Sequence, residues 1–397
     1  MPKEVQIKVI SNFVKKYKSG FPLITSDALI NGQVLKEEGT IIKLTDEKGN
    51  FIGKGYYGKQ NKGLGWILTN KEDQPFNQAF FVTKITNALN HRKQLFADPN
   101  TTAFRIFNGE GDGVGGITID YFDRFYLINW YSIGIYQFRN VILDALKEVV
   151  DYKGIYQKKR FDAKGRYVED DDFVTGERGE FPLIVKENGV HFAIYLNEGA
   201  MVGVFLDQRE VRKTIQEKYA KGTNMLNTFS YTGAFSVFAA LGGAIKTTSV
   251  DLANRSKAKT IEQFQLNGID HEAQDIIVED VFHYFKYAGR KNLKFDLVVL
   301  DPPSFARSKK VVFSAEKDYT NLLKETIAIT SENGVIVAST NSSAFGMKKF
   351  KGFIQKAFEE TGESYRILEE FSLPSDFRTI KEYPQGNYLK VVFIKKG

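Results

Sequence analysis

The chain of 397 residues contains no cysteine. A disulfide framework and any thiolate metal site are therefore excluded, and so is a thiol as nucleophile in covalent catalysis. Histidine is nearly as scarce. His91, His191, His271 and His283 are widely spaced and form no His-x-x-x-His or similar ligand pattern, so no metal is expected. Long apolar runs are also missing: no stretch approaches the ~20 residues needed to span a bilayer. The opening Met-Pro-Lys-Glu-Val-Gln lacks an apolar signal core. A cytoplasmic protein without a membrane partner is the expectation. Internal repeats and low-complexity tracts are absent as well.

What remains is a globular composition, 42% hydrophobic and 26% charged, on a chain long enough for two or three domains. The formal net charge is +7, and the cations cluster: Lys15-Lys16-x-Lys18, Lys158-Lys159-Arg160, Arg307-x-Lys309-Lys310 and Lys348-Lys349-x-Lys351. Aromatic residues make up 14% of the chain. Clustered cations with stacking partners suit a polyanion that exposes its bases.

Up to about residue 70 the pattern is short strands and glycine turns, as in a small β-barrel. Residues 39–45 and 51–57 flank a polar loop and read as a hairpin. Residues 77–96 and 138–150 repeat apolar positions at helical spacing. Gly111-Asp-Gly113-Val-Gly115-Gly116 satisfies G-x-G-x-x-G, but a strand follows it instead of a helix N-terminus, so it reads as a tight turn. Residues 158–180 read as a polar connection. Asn188-Gly189 joins two short strands in a hairpin over 183–195, and a helix is expected from about 205 to 219.

From residue 223 strands and helices alternate, which predicts an α/β fold: a doubly wound, Rossmann-like sheet closed by an antiparallel hairpin. Ligands in such sheets bind beyond the carboxyl ends of the strands. Four successive strand ends carry suitable residues. Ser230-Tyr231-Thr232-Gly233 precedes a helix and permits close backbone approach. Asp251 is placed to accept from ribose hydroxyls. Asp280, after Glu279 and before Val281-Phe282, is an acceptor for an adenine amino group beside apolar surface. Asp301 opens Asp-Pro-Pro-Ser-Phe. Any one of these acids alone reads as a helix cap; four such strand ends in chain order fit an adenosine-containing cofactor. The Pro302-Pro303 pair stiffens the last turn and frees its carbonyls, and Phe305 can stack on an extruded base.

Asn227-Thr-Phe-Ser-Tyr-Thr-Gly233, Asp251, Asp301-Pro-Pro-Ser-Phe305, Leu206-Asp-Gln-Arg209 and Tyr383-Pro-Gln-Gly-Asn-Tyr-Leu389 resemble the signatures of the class I S-adenosylmethionine-dependent methyltransferases that act on large-subunit ribosomal RNA. Nearly the full length takes part. Residues 1–72 resemble a PUA RNA-binding domain, residues 73–180 a central α+β domain, and residues 181–397 the methyltransferase domain. The resemblance implies S-adenosyl-L-methionine as cofactor, held by Ser230, Tyr231, Thr232, Gly233, Asp251, Asp280 and Asp301. It implies RNA as partner, engaged by Arg209, Arg307, Lys309 and Lys310, with a homodimer as one assembly open to the chain.

The chain departs from that family where members methylating cytosine C5 carry Ser-Cys-Ser. Here Ser339-Thr340-Asn341-Ser342-Ser343 stands instead. Cytosine C5 becomes nucleophilic only after a thiolate adds at C6. The guanine-N7 methylating half of the bifunctional large-subunit rRNA methyltransferase offers a better match, with Ser-Asn-Asn at this strand end. Guanine N7 already holds an in-plane lone pair, so orientation alone can drive transfer. Asp301, Pro302, Phe305 and Asn341 are the expected catalytic set. An exocyclic amine target, cytosine C5 by a route without cysteine, and a non-catalytic RNA-binding assembly factor are the alternatives.

Overall fold

The computed structural model describes residues 3–60, 63–161, 172–199, 201–307 and 312–397. The chain divides into two compact units. One comprises Met1–Val185, Ile194–Val202 and Ser375–Gly386; the other comprises Lys186–Ala193, Gly203–Pro374 and Asn387–Gly397.

The first unit holds two five-stranded sheets. In one, Glu4–Lys8, Ile41–Thr45, Phe51–Gln60, Gly63–Thr69 and Leu23–Ile24 lie side by side in that order. The hairpin expected near residues 39–57 forms because Asp46 accepts the backbone N–H groups of Lys48 and Asn50, at 3.0 and 2.8 Å, and Gly49 takes φ +90°. In the other sheet the order is Phe173–Gly176, Gly154–Lys159, Phe125–Trp130, Ile117–Phe122 and Ala103–Asn108. The Phe173–Gly176 strand lies in the stretch read as a polar connection; its short length and polar flanks hid it, and residues 162–171 of that stretch lie outside the described ones. Asn77 caps the helix Gln78–His91 by accepting from Phe80 N–H at 3.1 Å. The Gly111–Gly116 motif is a turn, with Gly113 and Gly116 at φ +85° and +90°, and runs into the strand Ile117–Phe122.

The second unit is built on one seven-stranded sheet. Its strands are β1 (Asn224–Thr228), β2 (Lys246–Asp251), β3 (Asp275–Val278), β4 (Phe295–Leu300), β5 (Thr330–Thr340), β6 (Tyr365–Phe371) and β7 (Lys390–Lys396), in the spatial order 3-2-1-4-5-7-6. Strands β1 to β5 are parallel, and β7 runs antiparallel to both β5 and β6. Helices α1 (Ala234–Leu241), α2 (Asn254–Leu266), α3 (Val281–Arg290), α4 (Ala315–Ile329) and α5 (Met347–Thr361) connect them. Two apolar layers result. Val298, Leu300, Ile336 and Ala338 face the cluster of α3, α4 and α5, while Leu297, Val299 and Val337 face Val211, Ile215 and Phe235. The central strands are buried on both faces, as parallel strands require. Strand order reverses between β1 and β4, which opens a crevice at their carboxyl ends.

Candidate active site

The loop after β1 is held in a conformation that ordinary residues avoid. Phe229, Tyr231 and Gly233 have φ of +54°, +51° and +76°. Such strain persists only where surroundings impose it. Here Ser230 N–H donates to Val250 carbonyl at 3.1 Å, Gly233 N–H to Ser230 carbonyl at 2.8 Å, and Thr232 Oγ1 to Gly203 carbonyl at 2.7 Å. A Cβ on Gly233 would come within 2.5 Å of Thr260 Cγ2, so only glycine fits against α2. Ser230, Tyr231, Thr232 and Gly233 thus form one rigid edge of the crevice.

Asp251 closes the next edge. Its Oδ2 accepts Tyr231 N–H and its Oδ1 accepts Ala253 N–H, each at 2.9 Å. The carboxylate is fixed by backbone donors and remains half-buried at the strand end. Asp280 caps α3: its Oδ1 accepts Phe282 and His283 N–H at 2.9 and 3.3 Å. Phe229, Phe282 and Phe313 follow one another beside it, with ring centroids 6.2 and 5.8 Å apart, and supply the apolar surface the sequence led us to expect.

Asp301 sits one residue beyond β4. Gln208 Nε2 donates to its Oδ2 at 3.3 Å and to Ser339 Oγ at 2.9 Å. Tyr319 Oη donates to Ser339 carbonyl at 2.8 Å and holds that strand end in place. Burial pushes the Asp301 carboxyl up to about 6, and Asp207 adds to the rise; hydrogen bonds from Ser339 and Gln208 and the Arg212 charge oppose it. Although Asp301 keeps some surface open to the crevice, its carboxyl group is packed on the inner side.

Pro302 is buried and Pro303 exposed. Ser304 Oγ donates to Asn341 Oδ1 at 2.5 Å, so the Pro-Pro turn and the end of β5 are tied together through Asn341. Phe305 is 62% exposed on a short hairpin, Phe305–Arg307 with Val312–Ser314. Lys309 and Lys310 lie outside the described residues. Arg209 needs correction as an RNA contact. It is 2% exposed and its Nε lies 3.3 Å from Glu210 Oε1, so it is packed inward at the start of the helix Arg209–Thr214 and presents no charge to a polyanion.

Two residues of this site were missed. Gln208 was seen only as part of a signature, although an amide between buried Leu206 and Val211 marks a polar need inside an apolar layer. Lys390 begins the apolar run of β7, is 3% exposed, and donates to the carbonyls of Ser342 and Tyr388 at 2.8 and 2.6 Å. Burial lowers its amine to about 8. Among the described residues no group of three or more His, Asp or Glu is arranged to hold a metal, and no helix is long and apolar enough to cross a membrane.

The residues present fit an adenosine-bearing, amino-acid-bearing cofactor: a loop with no room for an added Cβ at Gly233, a fixed acid after β2, an apolar wall after β3, and a buried carboxylate after β4. Comparison with known proteins agrees. A family described as S-adenosylmethionine-dependent methyltransferase matches residues 146–389, and a PUA-like domain matches residues 7–70. A Bacillus subtilis protein provisionally named ribosomal RNA large subunit methyltransferase YwbD is 63% identical over 96% of this chain and 97% of its own. Ribosomal RNA large subunit methyltransferase I of Alteromonas mediterranea is 31% identical over 89% of each chain. The crystal structure of SMU.776, a provisionally assigned methyltransferase complexed with SAH, superposes with a TM-score of 0.91 at 39% identity, covering 99% of this chain and 100% of that one.

Proposed function

Because the chain belongs to the S-adenosylmethionine-dependent methyltransferases, we propose that it methylates a base of large-subunit ribosomal RNA, and that the accepting atom is guanine N7. The observation that carries the choice of atom is the end of β5. A chain without cysteine has no thiol to add to a pyrimidine, and the residue in that place, Asn341, has its Oδ1 engaged by Ser304. Its Nδ2 is left to donate. The exposed edge of guanine presents two acceptors, O6 and N7. An amide donor on O6 would turn N7 toward the crevice.

The cofactor supplies an electrophilic methyl sulfonium when bound. The loop 230–233, Asp251 and Asp280 hold it in our reading, and Asp301 contributes negative charge at the crevice floor. Asn341 orients the base, the Pro302-Pro303 turn limits its position, and exposed Phe305 stacks on it. No residue needs to remove a proton, because the N7 lone pair is free before attack. Positioning and charge then account for the catalysis.

RNA engagement extends beyond this site. We assign residues 1–72 as the RNA-binding module, 73–180 as the central domain and 181–397 as the methyltransferase. Within the first unit a cleft of ≈ 670 Å3 is lined by Lys18, Lys71 and Lys84 together with Tyr17, Phe21 and Phe80, a combination suited to phosphates and unstacked bases. Nucleoside mass spectrometry of ribosomal RNA from a strain lacking the gene, and from the same strain complemented with the wild-type or Asp301→Ala gene, tests the reading. The expected result is loss of 7-methylguanosine, restored only by the wild type. Loss of 5-methylcytidine would overturn the choice of atom, and unchanged nucleosides would overturn the activity on ribosomal RNA.

A further inference from the structure

The cleft of the first unit holds two opposite charges that do not pair with each other. Lys84, on the helix Gln78–His91, and Glu110, on the turn Gly109–Asp112, both line it. Both are half-buried, so each keeps surface that a ligand can reach. Lys84 Nζ makes one long hydrogen bond, to Leu68 carbonyl at 3.4 Å, and lies 5.3 Å from the Phe80 ring centroid. Its other N–H donors have no acceptor among the described residues. Glu110 accepts its own backbone N–H and, among the described residues, makes no further hydrogen bond and no ion pair. The Arg105 charge that favours its ionisation is already forked onto Asp120 at 2.8 and 3.2 Å. Burial pushes the Glu110 carboxyl up to about 7, so donors from a ligand decide its form near neutrality. Glycine keeps space for both heads. A Cβ on Gly113 would stand 2.6 Å from Lys84 Nζ, and one on Gly386 3.0 Å from Glu110 Oε1. Gly113 N–H donates to Glu110 carbonyl at 3.1 Å, so the ammonium rests against the turn that carries the carboxyl group. Phe21 and Phe80 give the cleft apolar walls, and exposed Lys18 and Lys71 add cations to its lining.

We propose that Glu110 and Lys84 read the Watson–Crick edge of an unpaired guanine in the RNA, a base additional to the one that is methylated. The proposal rests on the RNA-binding role given to this cleft above. Along that edge guanine carries two adjacent donors, N1–H and the 2-amino group, and beside them the acceptor O6. The two oxygens of a carboxylate take the donors in parallel, and the ammonium donates to O6. Adenine and cytosine offer one amine with a ring-nitrogen lone pair beside it, which repels the second carboxylate oxygen. Uracil has a single N–H between two carbonyls. Guanine alone uses both charged groups in full. The apolar walls suit its flat ring, and Lys18 and Lys71 suit the phosphates of a single strand.

Calorimetry on the full chain tests this without turnover. A short single-stranded oligouridine carrying one guanosine is compared with the same strand carrying inosine, on the wild type and on Glu110→Gln. Inosine keeps O6 and N7, the atoms assigned to the methyl-transfer crevice, and lacks only the 2-amino group. Its loss should weaken binding to the wild type about 10- to 100-fold, as for a hydrogen bond to a charged group. On the variant the two strands should bind within about threefold of each other, the signature of a coupled pair in a double-mutant cycle. Equal binding of both strands to the wild type would overturn the proposal, and that arm needs no variant to fold. A preference that survives in Glu110→Gln would also overturn it, since the guanine would then be read elsewhere. Free guanosine monophosphate should bind about tenfold more weakly than the guanosine strand; equal affinity would assign the cleft to a free nucleotide instead of RNA. Wild-type protein that binds S-adenosylhomocysteine and neither strand would overturn the RNA-binding role together with this one.

Discussion

The two units handle buried charge differently. In the first, Arg92 is buried and every donor on its guanidinium is used: Nη1 and Nη2 bind Asp112 at 2.8 and 2.7 Å, Nη1 also reaches Ala88 carbonyl, and Nε and Nη2 reach Asp376 carbonyl. Arg105 forks onto Asp120 at 2.8 and 3.2 Å and adds Asn108. Glu110 follows another route, since burial pushes its carboxyl up to about 7 and favours the neutral form. In the second unit Arg212 and Glu187 are likewise matched, but the crevice floor is not. Asp301 is destabilised as an anion and Gln208 Oε1 has no partner. Charges that hold the fold are saturated. Those at the end of β4 are held at a cost, as expected for a preorganised site.

That contrast can be broken most severely in the first unit. Arg92→Met takes the forked cation from the buried Asp112 carboxylate, leaving it Asn108 N–H at 2.6 Å and Arg378 at 3.8 Å, and should cost about 3–5 kcal/mol, measured by urea unfolding. A loss below about 1 kcal/mol would show that saturation there is not what stabilises the unit. Next comes Asp301→Ala, expected to lower the methylation rate by about 10²–10³-fold with cofactor-free folding intact. Single-turnover transfer to ribosomal RNA checks it, and substantial retained activity would sink the role given to this acid.

Asp301→Asn should separate function from stability. The folded carboxyl titrates at about 6, above its ordinary 3.8. The folded state therefore binds the extra proton more readily, and stability is lost as pH rises from about 4 through 6. At neutral pH the ionised group is a liability. The amide should raise stability by about 1–2 kcal/mol near pH 7.5 and give nothing near pH 4, as thermal melts at the two pH values will show. A variant less stable at both would mean the carboxylate is structural. The smallest effect is expected of Asn341→Ala, about tenfold in rate with melting temperature unchanged. A fall as deep as that of Asp301→Ala would give Asn341 more than an orienting part.

Much of the fold was legible because it depends on local pattern. The apolar runs of β4 and β7 announce buried strands, the Asn188-Gly189 pair sets a turn with φ of +50° and +83°, and each strand-end acid can be located once the alternation is seen. The Phe173–Gly176 strand was not legible, since four residues with one exposed edge carry too little pattern. Nor was the inward turn of Arg209, because a cation at a helix start reads the same whether its tip meets water or Glu210.

The sequence alone determined the fold class, the loop and acids at the mouth of the sheet, and the absence of any thiol, since each of these is a property of residue type and short-range spacing. Only the tertiary structure decided which groups meet. Gln208 lies 93 residues from Asp301 and 131 from Ser339, and Ser304 lies 37 from Asn341. Such contacts come from the sheet order that places β4 between β1 and β5, and no local propensity encodes them. The same packing withdrew water from Asp301 and left Gln208 one donor short. An Asp and a Gln in a string of letters became a site through burial.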